Sequence, residues 1–384
     1  MFNARLARSV LGAARTAPRN PHFITNARGT TRRFTSGPTG GPEKPKFPLK
    51  PLLYCAPPSL ILAYFFRPKS EHACDASHLD PPPLLPTAPT VPPQSTIHPI
   101  ETGTSHVPHI PSKLYLPSQT EKSHVGTAIP EDAAGEYVLV GHGIRTVSFM
   151  KIQVYVLGLY IHKDDLSIVQ KHLLSELSSA IDSPTTITTA TRGEREKLAE
   201  VLNGVTGEED AIVAMNKLLV PGENGRAVRS LWRITPTRNT DFSHLRDGFV
   251  RQITARLALL RPVPDEVQEE GLSQALNEFK AIFTGYRKQA KKGNTLMMIR
   301  GSDGGLSVVF DGSGRTDGFL GYKDGDVEFL GRLGASGEGI GRALALCYLA
   351  GKGVSSEEAR GRVVEGLCAM VERPVGTAEG MVDV

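Results

Sequence analysis

A chain of 384 residues with 44 Lys and Arg against 40 Asp and Glu carries a formal net charge of +4. Seven arginines, among them Arg5, Arg8, Arg32 and Arg33, fall in the first forty-two residues, which hold no Asp or Glu, so the rest is neutral to slightly acidic. That balance, without a nucleic-acid-binding motif, excludes nucleic acid as a partner, and four cysteines with no CxxC pairing offer no metal-site spacing.

The Arg-, Ser- and Thr-rich, acid-free start predicts a mitochondrial transit peptide over 1–36, with Arg33-Phe34-Thr35-Ser36 suited to processing. A basic and apolar segment, 37–79, follows. Its run "LLYCAPPSLILAYFF", 52–66, is shorter than a spanning helix needs, and Pro57 and Pro58 interrupt it. The basic flanks Lys50, Arg67 and Lys69 leave an inner-membrane anchor or an interfacial segment open. Residues 80–136 are rich in Pro, Thr and Ser and read as a disordered linker. One ordered domain is expected over 137–374, then a flexible tail, 375–384.

Within that domain, alternation and β-branched content predict strands at 137–149 and 151–162. Helical periodicity follows at 165–181, 194–203 and 208–219, then a strand at 227–235. Asp241 and Asp265 are expected to cap helices over 242–260 and 266–284. A β-meander runs from about Thr295 to Leu333, and helices over 338–350 and 356–372 complete the domain. This order predicts an α+β fold, a mainly antiparallel sheet covered by helices. Cys347 and Cys368 fall on the last two helices and read as buried thiols.

Three motifs fail on inspection. "GHGIRT", 141–146, begins like a dinucleotide fingerprint but has Thr146 in place of the third glycine and leads into a strand. "GASGEGIGRA", 334–343, precedes a helix without a P-loop lysine and reads as tight turn and close packing. "DGSGRTDGFLGY", 311–322, has Thr316 and Tyr322 where a calcium loop needs glycine and glutamate, and reads as a hairpin turn. His142 and His162 on the first two strands are isolated candidates for ligating a metal or a haem.

Arg145 stands apart. It lies in an apolar strand beside a second strand apolar at both parities, and its guanidinium cannot shed its charge there. It is expected to hold a carboxylate or oxyanion, or else to pair with a structural acid or reach the surface.

The stretch "GHGIRTVSFMKIQVYVLGLYI", with the later "FSHLRDGFVRQI", "SVVF" and "LALCYLAGKGVS" in the same order, resembles the chalcone isomerase-like family. With its leader and linker the chain is most similar to the fungal mitochondrial branch, the altered-inheritance-of-mitochondria proteins with a chalcone isomerase domain. The resemblance implies an open-faced β-sandwich with a ligand cleft between the sheet and a helical layer. It also implies that Arg145 occupies the oxyanion-binding position of the plant enzymes. Their remaining active-site hydroxyls and amide fall at Tyr155, Phe242, near Phe249 and near Gly341, so most donors of the flavonoid reaction are missing. The fatty-acid-binding branch pairs its arginine with a tyrosine, as Arg145 and Tyr155 would. Three functions follow as expectations: a binder of an anionic apolar ligand such as a fatty acid, a haem binder using the same cleft, and an intramolecular lyase on an unknown substrate.

Overall fold

The computed structural model describes residues 97–118, 129–147, 150–181, 188–222, 225–284, 289–314 and 327–377. The expected transit peptide, the apolar run 52–66, the linker up to residue 96 and the end of the tail from 378 lie outside the described residues.

Three short strands come first: β1 (Pro99–Glu101), β2 (His109–Pro111) and β3 (Lys113–Leu116). The long hairpin β4 (Gly135–Val147) and β5 (Ile152–His162) follows, then helices α1 (Leu166–Ala180), α2 (Arg192–Leu202) and α3 (Glu208–Leu219). Strands β6 (Ser230–Pro236) and β7 (Thr240–Asp241) lead to α4 (Phe242–Arg256) and α5 (Glu266–Thr284). Then come β8 (Gln289–Ala290), β9 (Thr295–Arg300), β10 (Leu306–Asp311) and β11 (Val327–Leu333), and finally α6 (Glu338–Leu349) and α7 (Glu357–Val371).

Seven strands pair antiparallel in the order β11-β10-β9-β6-β5-β4-β3. One parity of the central strands, including Leu157, Leu159, Trp232, Ile234 and Met298, joins the helices in the main core. The other parity forms thinner clusters on the opposite face, around Tyr160, Leu231 and Met297 and around Ile144 and Val156. The two-sided apolar character of β5 thus reflects a sheet buried on both faces, and the fold is the expected α+β one, an antiparallel sheet with a helical layer. Asp265 caps α5, accepting from Gln268 N at 2.9 Å, whereas Asp241 precedes α4 without a side-chain cap.

The linker expected over 80–136 does not hold for its second half. Residues 97–118 carry β1 to β3, and β3 is the edge strand beside β4, so the ordered domain starts well before 137. Composition misled because Pro99 and Pro111 sit in strands at an edge, where a missing N–H breaks no interior ladder. Ile110, Leu114 and Leu116 are buried, and Tyr160 Oη donates to Pro111 O at 2.7 Å.

The glycines of the failed motifs have packing roles. A Cβ on Gly141 or Gly143 would come within 2.6 Å or 2.5 Å of the α7 backbone at Val363 and Ala359, and one on Gly366 would reach 1.8 Å from Val140 O. Helix α7 therefore lies on β4 backbone against backbone. In 334–343, a Cβ on Gly337 would strike Leu333 and one on Gly339 would strike Leu272, as expected for close packing. Strands β10 and β11, on either side of 311–322, pair antiparallel; residues 315–326 lie outside the described residues.

Candidate functional site

The bulged register of β4 against β5 sets Arg145 directly across from Tyr155 on the helix-covered face. Arg145 is half-buried, and Tyr155 is buried in the main core. Arg145 Nη1 donates to Tyr155 Oη at 3.2 Å, and its guanidinium carbon lies 5.6 Å from the Tyr155 ring centre, within cation–π range. Tyr155 Oη lies 2.8 Å from Tyr348 Oη, on the last turn of α6. Tyr348 in turn stacks on Trp232, with ring centres 4.8 Å apart. Among the described residues no carboxylate pairs with Arg145, so the structural ion pair considered from the sequence is not formed by them.

Hydrogen counting defines what this arrangement can do. Two phenols share one hydrogen bond, and Arg145 donates to one of them, so among the described residues one phenolic hydrogen stays uncommitted whichever phenol donates. Burial raises the pKa of Tyr155, opposed by the nearby Arg145, and burial and the Tyr155 neighbour raise Tyr348 well above the usual value. Both phenols therefore stay protonated at neutral pH. A guanidinium that among the described residues gives one hydrogen bond, to Tyr155, and a neutral phenol donor are together suited to an oxyanion.

Beyond Trp232, a cavity of about 20 Å³ lies between the sheet and helices α1, α3, α6 and α7, lined by Leu159, Leu219, Trp232, Ala345 and Leu349 among others. It has room for about one water, whereas ligand pockets hold roughly 300–1,000 Å³.

The other sequence-derived positions sit elsewhere. Phe242 and Phe249 are buried in an aromatic cluster with Phe283, and Phe242 meets Phe310 edge-on at 5.0 Å. Gly341 corrects the alignment-based expectation more sharply. It lies on α6 about two turns before Tyr348, and the heavy atoms nearest its Cβ position belong to Arg300, at the opposite end of the sheet. The residue that completes the arginine site is Tyr348. Its only sequence signal is a hydroxyl within the otherwise apolar run "LALCYLAG".

His142 and His162 do not present free ring nitrogens to a common space. Nε2 of His142 lies 3.1 Å from Glu101 O and from Arg362 Nη1; Nε2 of His162 lies 3.0 Å from Ala134 O and 3.3 Å from Arg229 Nη1. Among the described residues no group of three His, Cys, Asp or Glu is arranged to hold a metal. Neither histidine therefore offers a free Nε2 to an iron held at the Arg145–Tyr155–Tyr348 cluster.

A sheet shielded by helices, with an arginine–tyrosine pair at one strand end, is the arrangement expected of a chalcone isomerase-type fold. The chain belongs to the chalcone isomerase-like family: the family described as "Chalcone isomerase like" matches residues 135–364, more than half of its length. Among curated relatives, the mitochondrial "Altered inheritance of mitochondria protein 18" of Eremothecium gossypii is 31% identical over 235 residues, 61% of this chain and 67% of that protein. The protein of the same name from Saccharomyces cerevisiae (strain JAY291) is 25% identical over 272 residues, 67% of this chain and 74% of that one. Among solved structures, the crystal structure of an Arabidopsis thaliana fatty-acid binding protein is 15% identical and covers 64% of this chain and 93% of its own, with a TM-score of 0.40.

Proposed function

We propose that this protein is a mitochondrial, non-catalytic member of its family that binds an amphipathic ligand with an oxyanion head, such as a fatty acid. The carrying observation is Arg145: half-buried, held by Tyr155 and without a carboxylate among the described residues, beside a phenolic hydrogen that has no fixed acceptor. The head would sit at Arg145 and the Tyr155–Tyr348 pair, and the apolar tail would run past Trp232 into the interior. Phe242, Phe249 and Gly341 bring no hydroxyl to the arginine, which supports binding over flavonoid cyclisation. The mitochondrial setting rests on the names of the relatives and on the acid-free leader.

Protein purified from its own mitochondria and measured by native mass spectrometry tests this reading. The expected result is a co-purifying carboxylate lipid in the wild type, lost in Arg145→Ala. Re-addition should show binding weakened by about 1.5–3 kcal/mol, roughly ten- to a hundredfold. A porphyrin in its place, or equal lipid loading of wild type and variant, would overturn it.

A further inference from the structure

At the far end of the same sheet face, Arg300 is 3% exposed and Arg342 7% exposed. Both flank Glu338 in the first turns of α6: Arg300 Nη2 lies 3.2 Å and Arg342 Nε 3.4 Å from Glu338 Oε1, the latter without hydrogen-bond geometry. Arg300 Nη2 also donates to Leu219 O at 2.6 Å. Nε and Nη1 of Arg300 and Nε of Arg342 are buried and have no hydrogen-bond partner among the described residues. Among the described residues the two cations thus share Glu338, while the nearby Asp303 is itself paired with Arg332 at 2.6 Å, so one positive charge is left over on two side chains that water barely reaches.

The cluster also leaves room for one further atom. Gly341 stands in a helix interior, where glycine is unfavourable relative to alanine. Unlike Gly337 and Gly339 it is not forced by packing: a Cβ there would lie 3.7 Å from Arg300 Nε and from Gly304 O, at ordinary contact distance. An acceptor atom in this space would face the unpartnered Nε edge of Arg300 at the N-terminal end of α6, where helix N–H groups favour negative charge.

We propose that Arg300 and Arg342 form a second anion site, which takes one compact monoanionic oxyanion, a carboxylate or a phosphate, with an oxygen seated over Gly341. The single unmatched charge sets the preference for a monoanion. By strand register the site lies six residues along β5 from Arg145, about 20 Å away. Burial, with the neighbouring Arg342, holds Arg300 down at about 10 against the partly offsetting Glu338, and an added anion would reverse the shift.

The test is thermal unfolding of the full chain at constant ionic strength in chloride, acetate and inorganic phosphate. Acetate or phosphate should raise the wild-type Tm saturably by a few degrees over chloride. Gly341→Ala keeps both arginines and fills that space, so it should unfold at or above the wild-type temperature in chloride and gain nothing from either oxyanion. Arg342→Met should lose the same gain. Arg145→Ala should keep it, which separates this site from the one proposed above. A response to acetate alone assigns a carboxylate, and to phosphate alone a phosphate. Equal melting in all three salts, or an undiminished gain in Gly341→Ala, would overturn the site.

Discussion

Charged side chains inside this protein divide into those that are matched and those that are not. Asp165 is matched: its carboxylate accepts from Arg229 Nε at 2.9 Å, Nη2 at 2.8 Å and backbone N at 2.8 Å, and from Arg226 at 3.0 Å. Burial alone would raise its pKa, but the hydrogen bonds from Arg229 outweigh it and the net shift is below the usual 3.8. A carboxylate depressed in the folded state stabilises above its unfolded pKa, and that contribution disappears as pH falls through the folded value. Asp165→Asn should therefore cost about 3–5 kcal/mol at neutral pH by leaving Arg229 buried without its counter-charge. Urea unfolding of wild type and variant between pH 7 and pH 3 should show the gap narrowing below pH 4; a constant gap would refute the assignment. Arg145, which meets no carboxylate among the described residues, and Arg300, which shares Glu338 with Arg342, are the less fully matched counterparts. The pairing of Arg145 with Tyr155 was legible in the sequence because a hairpin dictates its own cross-strand neighbours. Tyr348 was not, since it reaches Tyr155 from 193 residues away and nothing local marks the meeting.

At the level of elements, periodicity located the helices and the central strands to within a few residues, because each has one face committed to the core. What it could not reveal is how closely two elements approach. Helix α7 is anchored on β4 through Gly141, Gly143 and Gly366, and Ser356 Oγ both donates to Ile144 O at 2.8 Å and caps α7 at Ala359 N. Gly366→Ala would force a methyl onto Val140 O, and the loss should be about 1–3 kcal/mol or more. A denaturant midpoint equal to wild type would show that the helix can shift to accommodate it. The contrast with Gly341→Ala, one helix away and expected to be tolerated, makes the pair a test of packing rather than of helix propensity.

For the molecule as a whole, the decisive difference from expectation is where order begins. Proline content marked 80–136 as linker, yet buried Ile110, Leu114 and Leu116 complete one face of the sheet and cover Tyr160 and Tyr137. A chain beginning at residue 97 should unfold cooperatively. One beginning at 137 loses these three side chains, worth about 1.5–3 kcal/mol each when fully buried, and bares the β4 edge, so it should aggregate or melt far lower. Equal melting of the two would restore the linker reading. Among the described residues no helix is long and apolar enough to cross a membrane.

The glycine contact between α7 and β4 has one more consequence. With no side chains between the two backbones there is nothing soft to compress, and neither tilting nor sliding is available without breaking the contact. The strand carrying Arg145 and the helix above it thus behave as one stiff wall. The cavity beyond Trp232, about 20 Å³ as it stands, would widen from the other side, where α1 and α3 contribute Val169, Leu218 and Leu219. A tail bound as proposed would push those two helices outward while its head stayed on the β4 wall.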